Sequence, residues 1–293
     1  MATTTQWVEA ARPRTLPAAV APVLAGTGVA VHADGFVWWK ATLALVVALA
    51  LQVAVNYAND YSDGVRGTDA NRVGPLRLVG SGTATPLQVR RAALASFGVA
   101  GVAGLVLVAT TNWWLLLFGA AAIIAAWYYT GGSKPYGYHA LGEVFVFVFF
   151  GLVAVSGTTY LQTGRLEPLA VAAAIPVGSL VTAILVVNNV RDIETDRRAG
   201  KHTLAVLVGR RASVIQFMLL VGVAYVTPIV LLVAGWTSPA VLLPVVTLPL
   251  AARLLQTVRR ADDPRQLNPV LRATARLSLV FSILFAVGLA LGR

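Results

Sequence analysis

The chain has 293 residues, of which 57% are hydrophobic and only 12% are charged, and its formal net charge is +11 at pH 7. The charged fraction is about half that of an ordinary soluble domain, which argues against a water-soluble protein. The chain has no cysteine, which excludes a disulfide framework and a thiolate metal site, and its three scattered histidines argue against an imidazole-based one.

Nine apolar stretches of membrane-spanning length predict an all-α, multi-pass integral membrane protein. They cover about residues 17–33, 41–58, 92–110, 113–129, 143–161, 168–187, 213–234, 239–255 and 271–290. No secretory signal peptide is expected, because Trp7, Glu9 and Arg12 precede the first apolar stretch. We expect residues 1–293 to form one membrane domain.

The basic residues predict an orientation in the membrane. With the N-terminus inside, the inner segments and their flanking turns hold 20 of the 23 Lys and Arg residues, and only Lys40, Arg165 and Arg293 lie outside. By the positive-inside rule, the N-terminus is expected on the cytoplasmic side and the C-terminus outside. This rule and attraction to anionic lipid account for the net charge, so no nucleic-acid partner is expected.

Acidic residues are concentrated at the ends of two apolar stretches. Six of the 12 lie within residues 60–69 and 192–196. Asp60 and Asp63 share one face if their helix continues by one turn, and Asp192 and Asp196 do so at i, i+4. Such carboxylates repel each other and oppose the helix dipole.

A bound hard cation relieves both costs, and oxygen donors suit Mg²⁺. We therefore predict a Mg²⁺ site formed by both aspartate pairs. Gly64 and Gly67 permit a turn that returns Asp69 toward this site. Both clusters are expected to begin long inner loops, residues 59–91 and 188–212.

A short internal similarity places the two clusters together. Residues 55–60 (VNYAND) resemble residues 187–192 (VNNVRD), and four predicted spans separate them. A parallel repeat would bring both clusters to one cavity on the same side of the membrane. Asn59 and Asn188 are predicted to supply carbonyl ligands or hold water. For Asn56 and Asn189, a functional role and interhelical hydrogen bonding remain equally open.

Basic residues beside these clusters predict a phosphate-bearing substrate, because arginine binds phosphate in a bidentate manner and lysine as a point charge. Lys134 and Tyr138 lie in a Gly- and Tyr-rich loop where the backbone can approach an anion, although its tyrosines also suit an interfacial belt. About half of these basic residues are expected to serve topology alone. The candidates are Arg12, Arg14, Arg66, Arg72, Arg77, Lys134, Arg191 and Lys201.

Together these segments resemble the UbiA superfamily of intramembrane aromatic prenyltransferases, in particular the branch that acts on 1,4-dihydroxy-2-naphthoate. The resemblance covers nearly the whole chain. One departure is that the last acid of the first motif is Asp69, where the superfamily has its acid at the position of Gly67; the naphthoate branch shows the longer spacing. The segments that carry the resemblance are ARPRTLP (11–17), NDYSDG (59–64), RVGPLR (72–77), YTGG (129–132), NNVRDI (188–193) and GKHTL (200–204).

The resemblance implies nine transmembrane helices around a central cavity, capped by cytoplasmic loops and open laterally to lipid, in a bacterial inner (plasma) membrane. It implies Mg²⁺-dependent transfer from a polyprenyl diphosphate to 1,4-dihydroxy-2-naphthoate, with Asp60, Asp63, Asp192 and Asp196 as catalytic residues. Arg14 or Arg77 is expected to bind the acceptor carboxylate. Another acceptor, such as 4-hydroxybenzoate, and a divalent-cation or phosphorylated-solute transporter remain alternatives. The sequence does not predict an oligomeric state.

Overall fold

The computed structural model describes residues 2–68 and 76–292, and within them the chain is helical, without a β-strand. Asp69 and Arg72 lie outside the described residues. The helices in chain order are α1 (Thr4–Ala10), α2 (Pro17–His32), α3 (Trp38–Arg66), α4 (Pro86–Ala109), α5 (Leu115–Tyr128), α6 (Gly142–Thr163), α7 (Pro168–Arg198), α8 (Leu204–Val233), α9 (Pro239–Arg260) and α10 (Pro264–Ala290).

Each of the nine predicted spans corresponds to one helix from α2 to α10, which confirms an all-helical, multi-pass architecture. Seven helices of the described residues are long and apolar enough to cross a membrane alone. Helix α5 has 14 residues, and such a helix spans about 21 Å of a hydrocarbon core of about 30 Å. Helix α2 meets the segment Thr4–Thr15 at a bend of 47°. Nine is therefore an approximate number of complete crossings.

Two helices continue well beyond their apolar stretches. Helix α3 runs to Arg66 and α7 runs to Arg198, so both acid clusters lie in the last turns of helices. The prediction that these clusters begin long loops was wrong, because hydropathy detects the lipid-embedded part of a helix and not its polar continuation. Gly67 then ends α3 with a φ of +73°, a conformation that favours glycine and agrees with the predicted turn.

Helix α7 forms the centre of the bundle. In an apolar stretch of 18 residues within it, 78% of the residues are buried. Its small side chains let α2, α8 and α10 pack closely around it. Helix α6 approaches most closely at Gly151, where an added Cβ would lie 2.9 Å from the Cα of Gly178. This contact lies in a π-helical stretch, Phe147–Val153, beside the central cavity; such stretches are frequent near functional sites.

Two loops cover the end of the bundle that carries the acid clusters. One connects α5 to α6 and the other connects α7 to α8. The backbone N–H of His202 in the second loop donates to the carbonyl oxygen of Tyr138 in the first at 2.9 Å. Arg66, at the end of α3, donates to the carbonyl oxygens of Thr130 and Gly132. The bond from His202 joins the two loops into one cap over the acidic end, as the resemblance implied, and the bonds from Arg66 attach this cap to α3.

Candidate active site

A cavity of about 450 Å³ lies inside the bundle and reaches both acid clusters. Asp63 of α3 and Asp192 and Asp196 of α7 all line it. Ala44 of α3 lines it as well, and on an α-helix positions 44 and 63 are about 28 Å apart. The cavity therefore extends from the acidic end through most of the thickness of a bilayer, and away from that end its lining is almost entirely apolar.

Asp63 is the best-connected acid of the cavity and is 2% exposed. Its Oδ1 accepts a hydrogen bond of 2.5 Å from the Tyr138 hydroxyl. Its Oδ2 lies 3.4 Å from Nη2 of Arg77 and 3.3 Å from Nζ of Lys201. A buried carboxylate is stable only when it is paired and hydrogen-bonded, and here donors from three separate segments supply this.

Tyr138 is held between two cations. The guanidinium of Arg66 lies 5.5 Å and Nζ of Lys201 lies 4.7 Å from its ring centre, both within cation–π distance. Burial raises the pKa of the Tyr138 hydroxyl above its ordinary value, and the charge of Asp63 raises it further. The hydroxyl therefore stays protonated at neutral pH and acts as a hydrogen-bond donor in the cavity.

Asp192 is bound by its neighbour in the sequence. Arg191 donates from Nε to Oδ1 at 2.8 Å and from Nη2 to Oδ2 at 2.6 Å, and both side chains are almost fully buried. Arg191 also donates to Asn188 and to Asn268 of α10. Arg191 itself does not line the cavity. Its hydrogen bonds indicate that it orients Asp192 and Asn188.

Asp60 has a different environment from the other three predicted ligands. Its Oδ2 and Oδ1 accept the backbone N–H groups of Leu78 and Val79 at 2.7 and 3.0 Å. It is 1% exposed and does not line the cavity. In the described structure, Asp60 fixes the segment that follows residue 76 and thereby the neighbouring Arg77.

Four of the predicted basic residues fall into two groups. Arg77 and Lys201 line the cavity beside Asp63. Arg14 and Lys134, which were also predicted to bind substrate, are exposed and lie outside the cavity lining. The sequence could not separate these groups, because every basic residue at this end satisfies the topology rule equally.

The predicted asparagines also line the cavity. Asn59 accepts a hydrogen bond from the Thr130 hydroxyl at 2.8 Å, and Asn188 accepts the bond from Arg191. Both amides are thus oriented by donors from the protein.

A second polar group in the cavity contains two residues, Thr15 and Gln52, that were not selected from the sequence. Asn56 donates to the Thr15 hydroxyl at 3.2 Å, Gln52 donates to Thr15 and to Asn56, and all three line the cavity together with Arg12. Gln52 and Asn56 lie on the same face of α3 as Asp63. This helical spacing was the available signal, whereas the approach of Thr15 and Arg12 depends on how the N-terminal segment packs.

The donor set suits a hard cation. Asp63, Asp192, Asp196, Asn59 and Asn188 line the same end of the cavity, and carboxylate and amide oxygens are the kind of ligand that Mg²⁺ prefers. No three acidic or histidine side chains within the described residues are close enough to form a complete cage. Mg²⁺ does not require one, because it commonly binds one or two carboxylates together with substrate phosphates. The residues therefore fit Mg²⁺ bound jointly with a phosphorylated substrate.

Known proteins have sequences similar to this one. It is 51% identical to the 1,4-dihydroxy-2-naphthoate octaprenyltransferase of Mycobacterium tuberculosis (strain ATCC 25618 / H37Rv), over 100% of this chain and 99% of the relative. It is 36% identical to the protein of the same name from Escherichia coli (strain K12), over 99% and 96%.

Solved structures share the fold. A UbiA homolog from Aeropyrum pernix K1 superposes with a TM-score of 0.71 at 16% identity, over 92% of this chain and 96% of that one. A UbiA homolog from Archaeoglobus fulgidus bound to DMAPP and Mg²⁺ superposes with a TM-score of 0.64 at 17% identity, over 97% and 99%. The model of the UbiA prenyltransferase family matches residues 19–290, and the chain belongs to this family.

Proposed function

We propose that the protein transfers a polyprenyl group from an allylic polyprenyl diphosphate to 1,4-dihydroxy-2-naphthoate. The reaction releases diphosphate and CO₂ and gives demethylmenaquinol, a precursor of menaquinone. The full-length similarity to 1,4-dihydroxy-2-naphthoate octaprenyltransferases supports this choice of acceptor. In this proposal, residues 1–293 form a single prenyltransferase domain.

The observation that carries the proposal is the two-ended cavity. Its acidic end offers Asp63, Asp192 and Asp196 together with the cations Arg77 and Lys201, which suits a metal–diphosphate. Its long apolar part suits an isoprenoid tail, which is as apolar as lipid and gains nothing from leaving the hydrocarbon. A prenyl diphosphate combines a diphosphate group with a long apolar tail, and so matches both ends of the cavity.

The residues of the acidic end act on the leaving group. When bound, Mg²⁺ neutralises the negative charge that develops on the diphosphate as the allylic C–O bond breaks. Arg77 and Lys201 add positive charge at the same place, and the Tyr138 hydroxyl holds Asp63 there by its hydrogen bond. Asp60 acts indirectly, through the backbone that carries Arg77. We assign Arg66 to fixing the cap and Arg191 to orienting Asp192.

The acceptor then attacks through its ring. The carbon that bears the carboxylate forms the new bond to the allylic carbon. The C–C bond to the carboxylate breaks, and its electron pair restores the aromatic ring as CO₂ leaves. We assign the acceptor carboxylate to Arg12 or Arg77, because both line the cavity whereas Arg14 does not. The polar group of Thr15, Gln52 and Asn56 lies beside Arg12.

We place the protein in a bacterial inner membrane, with the N-terminus and the acidic end in the cytoplasm and the C-terminus outside. The concentration of Lys and Arg on that side supports this orientation. Cysteines introduced at Lys134 and Trp236, one at each end of the bundle, would test it by labelling with a membrane-impermeant thiol reagent in intact cells. Only the second is expected to react.

The activity is tested with purified protein, a polyprenyl diphosphate and a panel of acceptors, with products identified by mass spectrometry. Prenylated, decarboxylated naphthoquinol is expected only with 1,4-dihydroxy-2-naphthoate, EDTA should abolish its formation, and Mg²⁺ should restore it. A product with 4-hydroxybenzoate instead would overturn the acceptor assignment, and full activity in metal-free buffer would overturn the metal role.

A further inference from the structure

Glu143 is a buried carboxylate for which the reaction described above has no use. It lies in the first turn of α6, is 6% exposed, and does not line the cavity. An acidic side chain within a membrane bundle is expensive, and such residues generally serve a function through a named partner. The helix N-terminus favours its negative charge without explaining why the charge is there.

The partner of Glu143 is Asn189 of α7. The Asn189 amide nitrogen Nδ2 donates to Oε1 of Glu143 at 2.9 Å, and Asn189 is 5% exposed. Oε1 of Glu143 is the acceptor of this bond, and an amide has one donor end and one acceptor end. Glu143 therefore determines which way the amide is turned, and its nitrogen points away from the cavity.

The other end of the amide is available to a ligand. Asn189 lines the cavity, and its Oδ1 has no hydrogen-bond partner among residues 2–68 and 76–292. An amide oxygen accepts hydrogen bonds, and this one has no donor among those residues. A donor brought in by a bound molecule would satisfy it. Neither diphosphate nor a carboxylate can supply that donor, but a phenolic hydroxyl can.

We infer that Oδ1 of Asn189 accepts a hydrogen bond from the acceptor hydroxyl next to the carbon that is prenylated, and that Glu143 is the positioning residue that aims it. The inference rests on the proposed function. As the ring attacks, positive charge develops on that hydroxyl and its proton becomes more acidic. The bond to Asn189 therefore strengthens in the transition state, which is the condition for an effect on kcat. The proton remains on the hydroxyl throughout.

The test compares Asn189→Leu, Glu143→Leu and Glu143→Gln in the purified enzyme. Asn189→Leu is expected to lower kcat roughly 10- to 100-fold, with the KM for the prenyl diphosphate unchanged. Glu143→Leu should cause a similar loss, because the amide is then free to turn its NH₂ into the cavity. Glu143→Gln retains a carbonyl acceptor for Nδ2 and should recover much of the activity. Rates are normalised to folded protein measured by thermal unfolding.

A double-mutant cycle separates positioning from general destabilisation. If Glu143 acts only through Asn189, then Glu143→Leu has no further effect on kcat in the Asn189→Leu background. Gln162→Leu is the matched control, because Gln162 is also a buried amide of α6, 6% exposed, but does not line the cavity. It should leave kcat unchanged.

The outcomes are distinguishable. An active wild-type enzyme with additive losses, or with an unchanged kcat in Asn189→Leu, would overturn the inference and leave the proposed function standing. A wild-type enzyme that does not prenylate 1,4-dihydroxy-2-naphthoate would overturn the proposed function and the inference with it.

Discussion

The Tyr138 hydroxyl donates a 2.5 Å hydrogen bond to Oδ1 of Asp63, which ties the cap loop directly to an acid of α3. Lys201 contacts both partners, because its Nζ lies 3.3 Å from the carboxylate and 4.7 Å from the ring centre. The backbone bond from His202 to Tyr138 holds the two cap loops in this arrangement. The two cap loops and Asp63 therefore form one connected unit. We expect a substitution at Tyr138, Lys201 or Asp63 to change the positions of the other two side chains.

Tyr138→Phe removes the hydroxyl and keeps the ring that Lys201 and Arg66 contact. A hydrogen bond to a charged group contributes about 1.5–3 kcal/mol, so we expect kcat/KM to fall roughly 10- to 100-fold. Steady-state kinetics with varied prenyl diphosphate would measure this.

The same variant tests the protonation of Tyr138. Because its pKa is raised above 10.0, the neutral donor persists through the range in which an ordinary tyrosine begins to ionise. The pH–rate profiles of wild type and Tyr138→Phe should therefore have the same shape from about pH 7 to pH 10. An alkaline decline present in wild type and missing in the variant would contradict this.

Asp196→Asn should reduce kcat at least about 100-fold, because it removes a charged oxygen donor from the metal–diphosphate end. Glu194→Gln is its control in the same turn of α7. Glu194 is exposed and paired with Arg197, so its loss should change activity less than twofold, as is usual for exposed ion pairs. Equal losses in the two variants would show that the turn tolerates no change of charge and that the assigned role is mistaken.

Lys201→Met should raise the KM for the prenyl diphosphate roughly 10-fold or more, because it removes a positive charge next to Asp63. Lys134→Met removes an equal charge from the same end of the bundle, but from an exposed position outside the cavity. We expect that variant to bind substrate as wild type does. Comparable effects of both substitutions would indicate general electrostatic attraction and not a specific contact.

Glycines of the cavity are expected to affect the preferred tail length. Gly104, Gly119 and Gly157 line it from three helices, and a Cβ on any of them would meet no atom within 4 Å. Gly104→Leu therefore fills tail space without straining the bundle. Competition between short and long prenyl diphosphates should shift toward the short one at least about tenfold.

Gly101→Leu provides the control for that substitution. Gly101 lies one turn earlier on α4, an added Cβ there also meets nothing within 4 Å, and it does not line the cavity. Its product distribution should equal that of wild type. If both variants shifted the product distribution equally, the cause would be a change in helix α4 and not a loss of cavity volume.

Some features followed from the sequence because they depend on local chemistry. Hydropathy located helices α2 to α10, since transfer of about 20 apolar residues into lipid is decided largely by composition. The spacing of Asp192 and Asp196 on one helix face, and the turn at Gly67, follow from backbone geometry. The similarity between residues 55–60 and 187–192 correctly anticipated that both acid clusters reach the same cavity.

Other features were decided only by tertiary packing. Asp60 and Asp63 are adjacent acids of one motif, yet one accepts two backbone N–H groups and the other lines the cavity. Lys134 and Lys201 carry the same charge at the same end of the bundle, and only the second reaches Asp63. Charge and spacing determine which chemistry is available at the membrane surface. Which side chain faces the cavity depends on contacts between segments far apart in the chain, and no local pattern encodes them.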